Sequence, residues 1–245
     1  AGGMTACGID FRDSVWCWGA NHVGQAGQIK SPYEGLSWIA EPTPVVLPGP
    51  VADVGVNGRM GCALLMDGSV ICWGAEVQWP DDPMNSFDGY QPYPYHIPRV
   101  IPIPDGVKGV ALGLGFGRTA CAGLDDGRVL CWGGNLASTG YSIESVPTLP
   151  MAWARIPLED GEIIVDFAVA ERQVCGLRSD SHIFCWGRDA TPALVSQSYR
   201  ERTISSESGI NALTAGKDVL CALSNEGDAW CWGRDRFALL TTRGI

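Results

Sequence analysis

No apolar run in this chain approaches the roughly 18 to 20 residues that a membrane-spanning helix needs, and no basic n-region followed by an apolar h-region opens it. The expectation is a mature soluble chain or an excerpt of one, without a transmembrane segment. Basic residues are few: 17 Lys and Arg stand against 27 Asp and Glu, a formal net charge of −10. That balance repels phosphate backbones and sets nucleic acid aside as a partner. Histidine is scarcer still. His22, His96 and His182 sit in unrelated frames, and no H-E-x-x-H, G-x-S-x-G, P-loop or dinucleotide fingerprint occurs. No catalytic set can be assembled from them, so the reading is of a protein that is not an enzyme and takes no cofactor. There is no C-x-x-C knuckle of the kind structural zinc prefers, and no N-x-S/T sequon. Charged residues make up only 18% of the chain against 46% hydrophobic, enough to bury a large core and unlike a disordered segment.

Cysteine, by contrast, is abundant and ordered. Residues 62 to 74 read CALLMDGSVICWG, and close variants recur at 7–19, 121–133, 175–187 and 221–233. All ten cysteines belong to these five segments: Cys7 and Cys17, Cys62 and Cys72, Cys121 and Cys131, Cys175 and Cys185, Cys221 and Cys231. The middle of each copy carries a turn pair, Arg12-Asp13, Asp67-Gly68, Asp126-Gly127, Asp180-Ser181 or Glu226-Gly227, mostly an acidic residue before one that tolerates positive φ. Each copy therefore reads as strand, turn, strand, with its two cysteines equidistant from the turn. Antiparallel pairing sets them opposite each other at about 4.5 Å between Cα atoms, within reach of a disulfide. Each bridge closes a short loop, which the chain-entropy model values at somewhat under ~3 kcal/mol. An even count in strict pairs points to an oxidising compartment: extracellular, cell-surface or periplasmic.

The second strand of each hairpin is apolar at every position, as in Val70-Ile-Cys-Trp73 and Ile183-Phe-Cys-Trp186. Strand side chains alternate between two faces, so the expectation is that both faces of every copy are buried. That is the condition of a blade between two neighbours in a β-propeller. The five Trp residues following the second cysteines are then blade-to-blade packing. Between hairpins come Pro-rich stretches such as 42–48 and 97–104, suited to edge strands, then short runs such as 51–56 and 107–112, suited to interior strands. Four strands per repeat result. The second cysteines recur every 46 to 59 residues, a propeller period.

The frame C-A-L, D-G, β-branched residue, C-W-G, followed in the first copy by Ala20-Asn-His-Val-Gly-Gln-Ala-Gly27, resembles the regulator of chromosome condensation repeat along essentially the whole chain. The resemblance implies an all-β fold of about 50-residue four-stranded blades, in that family typically seven of them, with a W-G-x-N-x-x-G-Q-L-G signature. The full signature tail appears once here; Trp132-Gly-Gly-Asn135 keeps a fragment, and the last two copies have Gly-Arg-Asp instead. The family includes a nuclear exchange factor, a plant UV-B photoreceptor and a secreted bacterial inhibitor of β-lactamases. Paired cysteines do not suit the first. The photoreceptor's Gly-Trp-Arg-His-Thr is absent, the nearest run being Gly115-Phe-Gly-Arg-Thr119. Residues 1–245 are expected to be one propeller domain or part of a larger ring, because only 6 residues precede Cys7 and 12 follow Gly233.

Function is expected to reside in loops. Trp38, Tyr95 and Trp153 each fall 21 to 23 residues after a second cysteine, suggesting an aromatic arc for protein recognition, with the long loops of the first two intervals beside it. The competing reading is that each ring lids its own blade. Asp81, Asp82, Asn85 and Asp88 offer the oxygen ligands calcium takes, though not at EF-hand spacing. The leading reading is a secreted or cell-surface scaffold that binds a protein partner, with attachment to a cell surface or larger assembly as one form of it. The alternatives are an inhibitor of a secreted enzyme, resembling the β-lactamase inhibitor, and a glycan-binding or hydrolytic propeller.

Overall fold

The computed structural model describes residues 2–28, 38–75, 97–116, 119–133, 161–171, 173–187 and 209–233, with strand backbones at 144–145, 151–154 and 200–202. Its described elements are all strands, in five antiparallel sheets that follow one another along the chain. The first holds β1 (Thr5–Ile9), β2 (Val15–Ala20) and β3 (Trp38–Val45). The second runs β4 (Val51–Val56), β5 (Met60–Leu65), β6 (Val70–Gly74) and β7 (Arg99–Val100). The third has β8 (Gly109–Leu114), β9 (Thr119–Leu124) and β10 (Val129–Gly133), with β11 (Glu144–Ser145) outside β12 (Met151–Ala154). The fourth is β13 (Ile164–Val169), β14 (Gln173–Arg178), β15 (Ile183–Gly187) and β16 (Arg200–Arg202). The fifth is β17 (Ile210–Ala215), β18 (Val219–Ser224) and β19 (Ala229–Gly233). Each sheet is a blade; in the second the Pro-flanked strand β7 is outermost and the short apolar run β4 innermost.

The hairpins follow from the repeat. Cys7 pairs with Cys17, Cys62 with Cys72, Cys121 with Cys131, Cys175 with Cys185 and Cys221 with Cys231 directly across the ladder. All five pairs are bridged, with Cα atoms 4.0 to 4.1 Å apart. The turns obey the sequence too. In the second blade Gly68 N–H donates to Leu65 O at 3.0 Å and Leu65 N–H to Ser69 O at 2.8 Å, a three-residue loop whose last position needs positive φ. Gly68 sits there at φ 90°, and Asp13, Gly127, Ser181 and Gly227 take the same place in the other blades. The glycine of each Cys-Trp-Gly is likewise left-handed: at Gly74, φ 98°, a Cβ would fall 2.3 Å from Arg59 O.

Blades pack with a fixed polarity. Alternation along β5 and β6 puts Met60, Cys62, Leu64, Val70 and Cys72 on one face, and these join a core with Ala120, Ala122, Leu130 and Trp132 of the next blade. The sulfur face of the first blade, with Val15 and Cys17, meets Ala63, Ile71 and Trp73 of the second. Cys121, Val129 and Cys131 of the third meet Val174 and Trp186 of the fourth. Cys175, Leu177, Ile183 and Cys185 of the fourth meet Leu220, Ala222 and Trp232 of the fifth. Every joint places the disulfide face of one blade on the indole face of its successor.

One expectation needs correction. Burial of both faces holds for β6 and β15 throughout and for β10 up to Trp132, but not for the end blades. β19 alternates, with Ala229, Cys231 and Gly233 exposed and Trp232 buried; in β2, Trp16 and Trp18 are only partly covered. The reason is that a blade face is buried only by a neighbour, and among the described residues each end blade has one on a single side. Strand number also varies. Among the described residues the first sheet shows no inner strand, the fifth shows three strands, and the third gains an outer two-residue strand.

Exposure orders the reactivity of the bridges. Cys62, Cys72, Cys121 and Cys131 have no solvent contact and Cys175 and Cys185 almost none, whereas Cys231 is exposed and Cys221 partly so. Thiol exchange requires access to sulfur. Graded reduction followed by alkylation and peptide mass mapping is expected to label Cys221 and Cys231 first, Cys7 and Cys17 next, and the three central pairs only on unfolding. Simultaneous labelling of all five pairs would contradict this packing.

Candidate interaction face

Antiparallel order assigns the two ends of the blades. The short turns after the inner strands and the long connections after Ala20, Gly74, Gly133 and Gly187 leave one end; the hairpin turns leave the other. Neighbouring blades keep these ends aligned. At the hairpin end, Val51 N–H donates to Asp13 O at 3.0 Å and Gly109 N–H to Gly68 O at 2.8 Å; at the loop end, Glu171 N–H donates to Lys217 O at 2.9 Å.

The hairpin end is acidic but occupied with its own turns. Asp67 Oδ1 accepts from Ser69 N–H at 2.9 Å, and that bond holds its carboxyl below the ordinary range. Asp10 is held low by Ser14 N–H, the Trp16 indole and Arg12 N–H. In the fourth blade Arg178 bridges Glu162 and Asp180, and His182 Nδ1 lies 2.9 Å from Asp180 Oδ2. His182 thus belongs to a turn and sits at the opposite end from His22, whose segment follows β2; His96 lies outside the described residues.

At the loop end, the signature tail of the first copy folds as a clasp. Asn21 and Gln25 are buried. Asn21 Oδ1 accepts from Ala26 N–H at 2.9 Å and its Nδ2 donates to Gln28 O at 3.1 Å. Gln25 Oε1 accepts from Val23 N–H at 3.0 Å, while its Nε2 donates to Gly58 O of the second blade at 3.3 Å. The Trp73 indole N–H completes the joint, donating to Gln25 O at 2.9 Å. The motif that carries the family resemblance is here an inter-blade fastening, and residues 21–28 are consumed by packing. Removing a buried acceptor strands its donor, which costs roughly 1–3 kcal/mol. Asn21→Ala is therefore expected to lower unfolding free energy by about 2 kcal/mol in urea titration with the disulfides intact.

Of the aromatic candidates, Trp38 is well placed. It pairs with Ala20 at the loop end of β3, and 58% of it is exposed. Trp153 pairs with Leu130, one residue before a second cysteine, where the first blade has Pro44 opposite Trp16. The two are not equivalent positions of their blades, so the register breaks the arc expected from spacing. Tyr95 lies outside the described residues, as do Asp81, Asp82, Asn85 and Asp88. Among the described residues no group of three or more His, Cys, Asp or Glu is arranged to hold a metal ion.

Sequence reading missed the carboxylates of the inner strands. Every inner strand has a register shift near its start, at Val51/Asp53, Gly109/Ala111, Ile164/Asp166 and Ile210/Ala212. Asp166 Oδ2 accepts from Leu213 N–H of the next blade at 2.6 Å, and its Oδ1 from Phe167 N–H at 2.7 Å. Burial nevertheless raises the Asp166 carboxyl above its ordinary value, and the charge of Asp53, two blades away, raises it further. Desolvation raises Asp53 as well, although its surface still meets solvent. The signal was present as Asp at matching places of two inner runs, each just past the register shift of its strand.

Because the folded-state value of Asp166 lies above the unfolded one of about 3.9, its contribution to stability is present below that value and lost as pH rises through the folded one. Asp166→Asn keeps an acceptor for Leu213 and removes the charge. Its melting temperature is expected to exceed the parent's at pH 7, with the difference vanishing below pH ~3.5. A lower melting temperature at pH 7 would mean the carboxylate is net stabilising.

No family model matches this chain, and no curated protein matches it in sequence. Its structure does find relatives. It superposes with a TM-score of 0.73 on yeast RCC1 (Prp20) as bound by Kap60, at 21% identity, covering 96% of this chain and 55% of that one. Human WBSCR16 gives a TM-score of 0.72 at 19% identity, over 96% of this chain and 60% of that one. The chain has the fold of the RCC1-type β-propellers. The CRINKLY ectodomain of the Arabidopsis thaliana receptor kinase ACR4 gives a TM-score of 0.52 at 21% identity, covering 95% and 61%. The chain therefore spans a little over half the length of the solved RCC1-type propellers it matches.

Proposed function

We propose that this RCC1-type propeller is an exported scaffold that binds a protein partner through its loop end, and that residues 1–245 work as one propeller unit in the extracellular space, on a cell surface or in a periplasm. The observation that carries the reading is the set of five cross-strand disulfides, which persist where the medium is oxidising. Two structural relatives support it in kind: one RCC1-type propeller is held by a protein partner, and the ACR4 propeller is an ectodomain. Trp38 supplies the aromatic anchor at the loop end, the end at which β6 hands the chain on to residues 76–96.

The test has two arms. Alkylation of the native protein before lysis, then intact-mass analysis, is expected to find no free thiol; free thiols would remove the exported location. Immobilised protein is then exposed to the secreted fraction of its own host, beside Trp38→Ala and a variant with 76–96 replaced by a short Gly-Ser linker. Any specific partner is expected to bind Trp38→Ala at least tenfold more weakly, the effect of losing a hot-spot Trp worth about 1.4 kcal/mol or more. Equal capture by all three proteins would move the site away from the loop end.

A further inference from the structure

The hairpin turns share one open position. Four residues after the first cysteine of each copy stand Phe11, Met66, Asp125, Ser179 and Asn225, and all five are exposed. In the later blades the backbone there is pinned: Met66 N–H donates to Pro50 O, Asp125 N–H to Lys108 O, Ser179 N–H to Ile163 O and Asn225 N–H to Gly209 O. Because the position is open in blades that have a neighbour on each side, the exposure of Phe11 belongs to the turn and not to the edge of the stack. Polar residues suit such a place, and three blades have them. The first two instead carry a phenylalanine that is 89% exposed and a methionine that is 57% exposed.

These two turns are tied together. Val51 N–H donates to Asp13 O at 3.0 Å and Met66 N–H to Pro50 O at 2.9 Å, so residues 50–51 link one tip to the next. Val46 follows the pair of Val15 with Val45 at the same end and is 86% exposed, and Pro48 and Pro50 are exposed after it. Phe11, Val46, Pro48, Pro50 and Met66 thus make an apolar ridge across two blades. Asp10, Asp13 and Asp67 stand in the same turns, and their own N–H donors hold Asp10 and Asp67 below the ordinary carboxyl range. The Arg12 guanidinium lies 5.2 Å from the Phe11 ring centre, over one face of a ring that can take a cation on the other.

We propose that this ridge docks a basic segment of a second protein, one that carries apolar side chains among its Lys or Arg, so that the propeller bridges two partners from opposite ends. The apolar groups gain nothing from the fold and supply the anchors. The carboxylates, busy with their turns but still charged, select the sign of the partner. The same carboxylates repel anionic lipid headgroups, and a net charge of −10 opposes a second copy of this chain. The ridge lies at the hairpin end, away from Trp38, and does not depend on the loop-end site.

Fluorescence anisotropy of a labelled short peptide of alternating Lys and Leu tests this on the intact, oxidised chain. The peptide is expected to bind, about tenfold more weakly to Phe11→Ser and to Met66→Ser, and less tightly as salt is added. Serine already occupies this position in the fourth blade, so the turn tolerates it, and thermal melting checks that both variants stay folded. Trp38→Ala is expected to bind the peptide as the parent does, which separates failure here from failure of the loop-end site. A matched Glu-Leu peptide and phosphatidylglycerol vesicles are expected not to bind. No binding of the Lys-Leu peptide, equal binding of the Glu-Leu peptide, or binding that neither serine variant weakens overturns the proposal. Vesicle binding that is lost in Phe11→Ser makes the occupant a membrane and overturns it as well.

Discussion

A strand that is apolar on both faces has to be covered on both sides, and in this chain the two coverings are chemically different. Cysteine and its same-face neighbours put sulfur and branched aliphatics on one side of each hairpin, and the following Trp puts an indole on the other. Stacking therefore joins unlike surfaces in one direction only. The disulfide contributes twice: it closes the hairpin covalently, and its buried sulfurs form part of the surface that the next blade covers. A blade could not be reversed in the stack without setting indole on indole and sulfur on sulfur. The order of blades and the aligned ends both descend from this asymmetry.

Polar groups in the joints are settled by the same stacking. Trp73 carries an indole N–H into a buried joint, and the carbonyl of Gln25 in the preceding blade receives it. Asp166 is held at a bulge by a backbone N–H of the following blade, against the cost of burying its charge. In both cases the partner belongs to the neighbouring sheet. The signature tail, which in sequence looks like a functional motif, is explained here as the fold's own fastening. Its loss from later copies bears on how those joints are made and does not by itself signal a change of activity.

Among the described residues, what is left for recognition is correspondingly narrow. The hairpin end presents carboxylates that cap their own turns, and the described part of the first long connection is folded into the clasp. Trp38, at the end of an outer strand, and Phe116, in the turn between β8 and β9, are both exposed at the loop end. Large apolar groups left in water on an otherwise well-packed rim are the natural anchors of a protein interface. The five cross-strand bridges suit an oxidising compartment, where such bonds persist.

Much of this was legible residue by residue. Paired spacing of cysteines about a turn, a positive-φ residue at each turn and unbroken apolar second strands are local or period-2 signals, and they specified hairpins, bridges, blades and the all-β class. The limits appear where an outcome depends on a neighbour. Val-Ile-Cys-Trp at 70–73 and Ala-Trp-Cys-Trp at 229–232 look alike in the chain, yet one is sealed and the other alternates, because burial belongs to the stack and not to the strand. Trp38 and Trp153 look equivalent by counting from cysteine, and ladder register separates them, because connections of similar length deliver different residues to the outer edge. The desolvation that raises the Asp53 and Asp166 carboxyls is likewise a product of stacking and not of the strand alone. Covalent order supplied the modules and their unlike faces; packing in three dimensions chose which faces are hidden, which polar groups are satisfied by the neighbouring blade and which rings are left in water.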